Sequence, residues 1–229
     1  MKMLFIPGAG GSGEEWVYQT EYFTGSQAIT LPGHPQGKPC SSLDDYVEWL
    51  RDYIHQHQYR DVVLIGHSMG SAIAQLYGLK YSQEIRALVL IGAGARLRVL
   101  PDLLTKLERM ITDRVAWKQY LQDEYCLIPP EVRPALLAAR MEIGPAVTLN
   151  DYLCCDQFDI MEQVQAIKPP ALVICGSEDK KTPVKYTRYL ADNIDRAKPL
   201  VIDGATHWVH IEKPGEVNQA IEEFLNHLT

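Results

Sequence analysis

The chain has 229 residues, of which 46% are hydrophobic and 22% charged, and a net charge of -7 at pH 7. That length suits one α/β domain, residues 1–229, with room for an insertion, and the ordinary globular composition excludes a disordered or fibrous chain. The acidic balance disfavours nucleic acid and anionic membrane as partners, and a small-molecule substrate is the partner expected.

Five cysteines, Cys40, Cys126, Cys154, Cys155 and Cys175, are odd in number and lack Cys-x-x-Cys spacing, so neither a zinc site nor a disulfide framework is signalled. No run reaches transmembrane length, and Met3 to Ile6 before Pro7 is too short for a secretory h-region. A reduced, cytoplasmic protein without metal or cofactor is the expectation.

Lys2 to Ile6 reads as a buried strand that ends in the loop Pro7-Gly8-Ala9-Gly10-Gly11-Ser12-Gly13. Gly8, Gly10 and Gly13 satisfy the G-x-G-x-x-G spacing of a dinucleotide fold, but no carboxylate follows at Ile29-Thr30-Leu31-Pro32-Gly33, where a ribose would need one. The preferred reading is a loop whose backbone N–H groups face a developing oxyanion. Glu14 to Tyr22 suits a short helix and Gln27 to Leu31 a second strand, after which His34 falls in a loop. Ser42 caps a helix that carries Asp44 and Asp45 in its first turn and Tyr46, Val47, Leu50, Tyr53 and Ile54 at helical spacing.

Val62-Val63-Leu64-Ile65 then leads directly into Gly66-His67-Ser68-Met69-Gly70, with a small-residue helix after it. This strand, Gly-x-Ser-x-Gly and helix is the pattern of a nucleophile elbow, in which glycines two residues either side of Ser68 leave space for a sharp reversal. Ala87 to Ile91 is a further apolar strand. From about Arg96 to Glu162 the strand–helix alternation stops, and residues 96–162 read as a helical insertion, with Leu100, Leu103, Leu104, Leu107, Met110 and Ile111 on one face and breaks at Pro129-Pro130 and Gly144-Pro145. Strands resume at Ala171 to Cys175 and Pro199 to Ile202, and a terminal helix carries Val217, Ile221, Phe224, Leu225 and Leu228.

A serine hydroxyl needs a base to remove its proton, and the base needs a third group to hold its tautomer. Asp179 and His207 follow successive strands, so a parallel sheet brings both to the edge that carries Ser68. Glu178 is the neighbouring acid and His210 the alternative base, each less favoured, while His67 should point away from Ser68 and pack or hydrogen-bond instead.

With Pro7-Gly8-Ala9-Gly10, Leu31-Pro32-Gly33-His34, Gly66-His67-Ser68-Met69-Gly70, Gly176-Ser177-Glu178-Asp179 and His207 to Pro214, the chain resembles the α/β-hydrolase family over nearly its full length. The resemblance implies a serine hydrolase with Ser68 as nucleophile, Asp179 as acid, His207 as base and an oxyanion hole formed by the N–H groups of Ala9 and Met69. It also implies a mostly parallel sheet of about six strands, because the family's N-terminal strand pair is missing, and a cap formed by the insertion. Pro7 stands where many relatives carry histidine, and Thr206 where glycine commonly precedes the base. Serine at the elbow separates the chain from relatives that use aspartate there, and Ser71-Ala72 lacks the arginine of the menaquinone-pathway branch.

Two functions remain. One is a cofactor-independent, carboxylesterase-like hydrolase of a small carboxylic ester, with thioester, lactone and small amide as variants; the other is a noncatalytic binding protein on the same fold. The apolar content of the insertion leads to the expectation of a mainly apolar acyl pocket that prefers short to medium, uncharged acyl chains.

Overall fold

Four nearly continuous apolar runs form the central strands, β1 (Lys2–Ile6), β3 (Val62–His67), β4 (Ile85–Ile91) and β5 (Ala171–Gly176), in a computed structural model that describes residues 1–228. Runs apolar at successive positions suit strands covered on both faces, and the sheet, ordered β2-β1-β3-β4-β5-β6 with β2 (Gln27–Ala28) and β6 (Ala197–Ile202) at its edges, is parallel at every pairing. Period-two alternation divides the core. Leu4, Ile6, Leu64, Leu88, Leu90 and Val173 pack on one face, and Met3, Phe5, Val63, Ile65, Val89, Ile91 and Ile174 on the other.

The first face is covered by α2 (Leu43–Gln56), α3 (Met69–Lys80) and α7 (Val184–Asn193), the second by α9 (Pro214–Asn226), with α1 (Val17–Tyr22) and the single turn α8 (Val209–Glu212) beside it. Ser42 caps α2 as expected, accepting a hydrogen bond from the Asp45 N–H at 3.1 Å. The other expected helix at 14–22 divides into a 3-10 turn, Gly13–Trp16, and α1.

The second strand is shorter than expected. Ile29 and Leu31 are buried, and the Ile29 N–H still bonds the Phe5 carbonyl, but the chain then leaves the sheet edge toward Pro32, which has no N–H to continue a ladder. The opposite edge begins earlier than expected, at Ala197. Its Lys198 and Pro199 blunt an exposed strand against further pairing.

Between β4 and β5 lie three helices, α4 (Pro101–Met110), α5 (Arg114–Glu124) and α6 (Arg133–Asp156). Leu107 and Met110 join Trp117 and Leu121 in a small core of their own, whereas Leu100 and Ile111 fall outside α4 and are exposed. Gly144 leaves helical geometry (φ 84°, ψ 169°) ahead of Pro145, so α6 is kinked there rather than ended. No helix of the described residues is long and apolar enough to cross a membrane.

Candidate active site

Ser68 stands at the turn from β3 into α3 with φ 52° and ψ -114°, a conformation that costs a non-glycine residue about 1–3 kcal/mol. The surroundings hold it there. Its N–H donates to the Ile91 carbonyl at 2.9 Å, and its carbonyl accepts from the Ser71 N–H at 2.9 Å and the Ser71 hydroxyl at 2.6 Å. A Cβ on Gly66 would strike the Gly70 carbonyl, and one on Gly70 the Ile6 carbonyl, so both glycines permit close backbone approach at the elbow.

β5 ends at Gly176, and Asp179 sits in the turn that follows. Its Oδ1 accepts from the N–H groups of Lys181 and Thr182, both at 2.8 Å, and its Oδ2 accepts from the Thr182 hydroxyl at 2.7 Å and pairs with His207 Nδ1 at 2.8 Å. Burial alone would raise the Asp179 pKa. The hydrogen bond and charge of His207, followed by the Thr182 amide and hydroxyl, hold it at about 2. His207 lies beyond β6, and its pKa is lowered because burial outweighs the attraction of Asp179. Its backbone carbonyl accepts from His67 Nε2 at 3.0 Å, and Gly92 beneath leaves its ring space: a Cβ there would lie 3.0 Å from Cε1.

The structure therefore brings together Ser68, Asp179 and His207. Ser68, Thr182 and His207 line one cavity of about 310 Å³, although no hydrogen bond joins the Ser68 hydroxyl to His207 among the described residues. Such contacts commonly tighten only when substrate binds. Glu178 is exposed and bonds through its N–H to the Ala205 carbonyl, away from His207. His210 is fully buried 4.4 Å, centroid to centroid, from His67, and its ring nitrogens have no partner among the described residues. Burial, His67 and His207 push its pKa well below the ordinary histidine value.

In the glycine loop, Gly8 N–H donates to Glu15 Oε2 at 3.2 Å and Gly10 N–H to Asp151 Oδ2 at 2.7 Å, while the Ala9 N–H between them has no protein acceptor among the described residues. Carboxylates in these places repel a pyrophosphate, against the dinucleotide reading. The Met69 N–H, at the start of α3, is likewise without an acceptor outside its helix. His34 is a loop residue as expected, but a buried one: it reaches Asp151 Oδ2 at 2.8 Å, and Tyr46 donates to Asp151 Oδ1 at 2.8 Å.

Apolar groups make up most of the cavity wall, with Leu97, Val99, Leu100, Leu103, Tyr152 and Tyr186 among them, but the cations Arg98, Lys180 and Lys181, which the sequence did not single out, line it too. Sequence reasoning also missed Thr182, Glu15, Asp151 and Arg140. Asp179-x-x-Thr182 is a local turn signal that names Thr182 in advance. Glu15, Asp151 and Arg140 have no local signature.

Glu15, His67 and His210 offer ligand atoms all within 4.8 Å of one another. Glu15 Oε2 accepts from the Gly8 N–H and His67 Nε2 bonds the His207 carbonyl, while Glu15 Oε1, His67 Nδ1 and both His210 ring nitrogens have no hydrogen-bond partner among the described residues.

A family model described as "Alpha/beta hydrolase family" matches residues 3–220. A Mycoplasma pneumoniae protein named "Putative esterase/lipase 2" is 30% identical, with 88% of this chain and 78% of that protein covered. An Acinetobacter baylyi protein named "(E)-2-((N-methylformamido)methylene)succinate hydrolase" is 28% identical over 97% of this chain and 89% of its own length. A solved structure, "Structure of a thermophilic esterase", superposes with a TM-score of 0.82 at 30% identity, over 99% of this chain and 90% of that one. On its sequence, its parallel sheet and the extent of these matches, the chain belongs to the alpha/beta hydrolase family.

Proposed function

We propose that the protein is a serine hydrolase of a small carboxylic ester, or of the related thioester or lactone, acting through an acyl-enzyme. One observation carries this reading: a serine held at positive φ on a strand-to-helix turn shares a cavity with a histidine whose Nδ1 is fixed 2.8 Å from a buried carboxylate. In the proposed reaction Ser68 Oγ attacks the acyl carbon as His207 Nε2 takes its proton. Asp179 holds the imidazole tautomer and stabilises the imidazolium, and the N–H groups of Ala9 and Met69 receive the oxyanion. His207 then passes the proton to the departing alkoxide, and water repeats the sequence to release the acid.

No cofactor or metal enters these steps. The segment 96–162 serves as a cap over the site; Leu97, Arg98, Val99, Leu100, Leu103, Tyr152 and Cys155 supply its share of the cavity wall. The relatives named as esterases support ester hydrolysis. The Acinetobacter baylyi relative, named for a compound with an N-methylformamido group, favours hydrolysis of a small amide as the second reading.

Turnover of 4-nitrophenyl acetate tests the proposal. An initial burst of 4-nitrophenolate equal to the enzyme concentration, absent in Ser68→Ala, is the expected result. Equal turnover by wild type and Ser68→Ala refutes it, and a panel of esters, thioesters, lactones and small amides ranks the bond cleaved.

A further inference from the structure

Arg140, on α6, is 4% exposed, and no carboxylate forms an ion pair with it among the described residues. Its Nη1 donates to the Ala9 carbonyl at 2.5 Å, its Nε has no partner, and its guanidinium stands 5.8 Å from the Trp117 ring centroid. A buried charge without a counter-charge is costly, and sites that bind charged ligands are one place where that cost persists.

Arg140 lines a narrow recess of about 10 Å³ together with Ala9, Ser68, Tyr152, His207 and the Glu124–Lys181 ion pair. That is the size of one oxygen, and the recess shares Ser68, Tyr152, Lys181 and His207 with the larger cavity. The other charges at or beside the recess already have partners. Glu124 pairs with Lys181 Nζ at 2.8 Å and accepts from Tyr120 at 2.8 Å, Glu15 Oε2 takes the Gly8 N–H and faces His67 at 3.8 Å, and Asp179 is bound to His207. In the wider cavity Arg98 leans on Asp159 at 3.5 Å, and Lys180 has no ion pair among the described residues. Lys180 is exposed to solvent, so Arg140 is the buried positive charge without an ion pair beside Ser68.

We propose that Arg140 is a carboxylate-binding residue and that the substrate is an ester bearing a free carboxylate, one oxygen of which enters the recess toward Arg140 while the other stays beside Lys181 and Tyr152. This deepens the ester-hydrolase reading, on which the catalytic part of it rests. A guanidinium presents a planar fork of donors that matches a carboxylate, which a neutral acyl chain leaves unused. The bare alternative is that Arg140 only braces the Ala9 carbonyl. A brace affects neutral and anionic ligands alike; a carboxylate site changes their ratio.

The test begins with binding, so that it does not depend on turnover. Calorimetric titration of Ser68→Ala with monomethyl glutarate and with dimethyl glutarate, at neutral pH and low salt, should show the monoanion binding roughly tenfold tighter or more. Adding Arg140→Gln should bring the ratio close to one with little change for the diester, and Arg140→Lys should restore part of it. Equal affinities, no binding of either ester, or a preference that survives Arg140→Gln would overturn the proposal. Wild-type kcat/KM on mono(4-nitrophenyl) glutarate against 4-nitrophenyl butyrate separates the two readings without a variant. Turnover of both at equal efficiency leaves the hydrolase and removes the carboxylate site; selective binding of the monoanion with no turnover of either ester leaves the carboxylate site and removes the hydrolase.

Discussion

The carboxyl edge of the sheet and the helices between β4 and β5 meet at one cavity but are built differently. At the sheet edge each reactive group is immobilised by several bonds: Ser68 by Ile91 and Ser71, Asp179 by four donors including His207, and His207 through its carbonyl by His67. The helical segment has a small core of Leu107, Met110, Trp117 and Leu121, leaves Leu100 and Val115 exposed, and touches the glycine loop through two long-range polar contacts, Arg140 to Ala9 and Asp151 to Gly10. On the proposed function, loss of an edge residue should abolish reaction, while loss of a wall residue should change which ester reacts.

The largest effects should therefore come from the sheet edge. Ser68→Ala is expected to lower kcat by about 10⁴-fold or more with an unchanged unfolding midpoint, and His207→Ala by a similar factor. His210→Ala should cost far less activity, since His210 touches neither Ser68 nor Asp179; the reverse ranking in kcat would move the base to His210. Asp179→Asn keeps the shape but favours the wrong imidazole tautomer, for a loss on the order of 10³–10⁴-fold in kcat. Thr182→Val removes one donor while leaving the backbone donors of Asp179 in place, so a loss of about tenfold in kcat is expected, in line with a hydrogen bond to a charged group.

The pH dependence sharpens the same contrast. His207 must be neutral to accept a proton, and its pKa is lowered, so the acid limb of kcat/KM should be centred below pH 6.5. An acid limb centred above 6.5 would contradict the buried environment. His210 also titrates below its unfolded value, so below about pH 6.5 the unfolded chain binds a proton that the folded one refuses. Stability then falls with decreasing pH by about 1.4 kcal/mol per pH unit for each such group, until its folded pKa is reached. Denaturant melts of His210→Phe should show a shallower decline between pH 6.5 and 5 than wild type.

On the wall side the effects are smaller. Each added acyl methylene that finds the apolar side of the cavity should raise kcat/KM a few-fold, at about 0.8 kcal/mol per buried methylene, with a plateau at short to medium length because the cavity is only about 310 Å³. A profile that keeps rising into long chains, measured across 4-nitrophenyl esters, would show that the helical segment opens more widely.

Much of the sheet edge was legible in the sequence because its signals are local. An apolar run, a glycine-flanked serine and acids or histidines just beyond later runs place Ser68, Asp179 and His207 once the sheet is parallel, and strand 62–67 ends where the motif requires. The edge strand at Gln27 is shorter than its apolar pattern suggests because Ile29 and Leu31 are buried beyond the end of the ladder. The wall was hardly legible. Apolar residues in 96–162 pack partly with one another, and Arg140 and Asp151 reach the glycine loop across 131 and 141 residues of chain, a separation that leaves no pattern to read. Lys180 and Lys181 look like ordinary surface charges until the fold turns them to the cavity.

Fluorophosphonate labelling followed by peptide mapping tests the central assignment most directly, because the probe reacts only with a serine activated by its base. The account predicts one adduct per chain, on Ser68, with labelling strongly slowed in His207→Ala and in Asp179→Asn. Absence of an adduct on the folded wild-type protein, or an adduct on another serine, would contradict it.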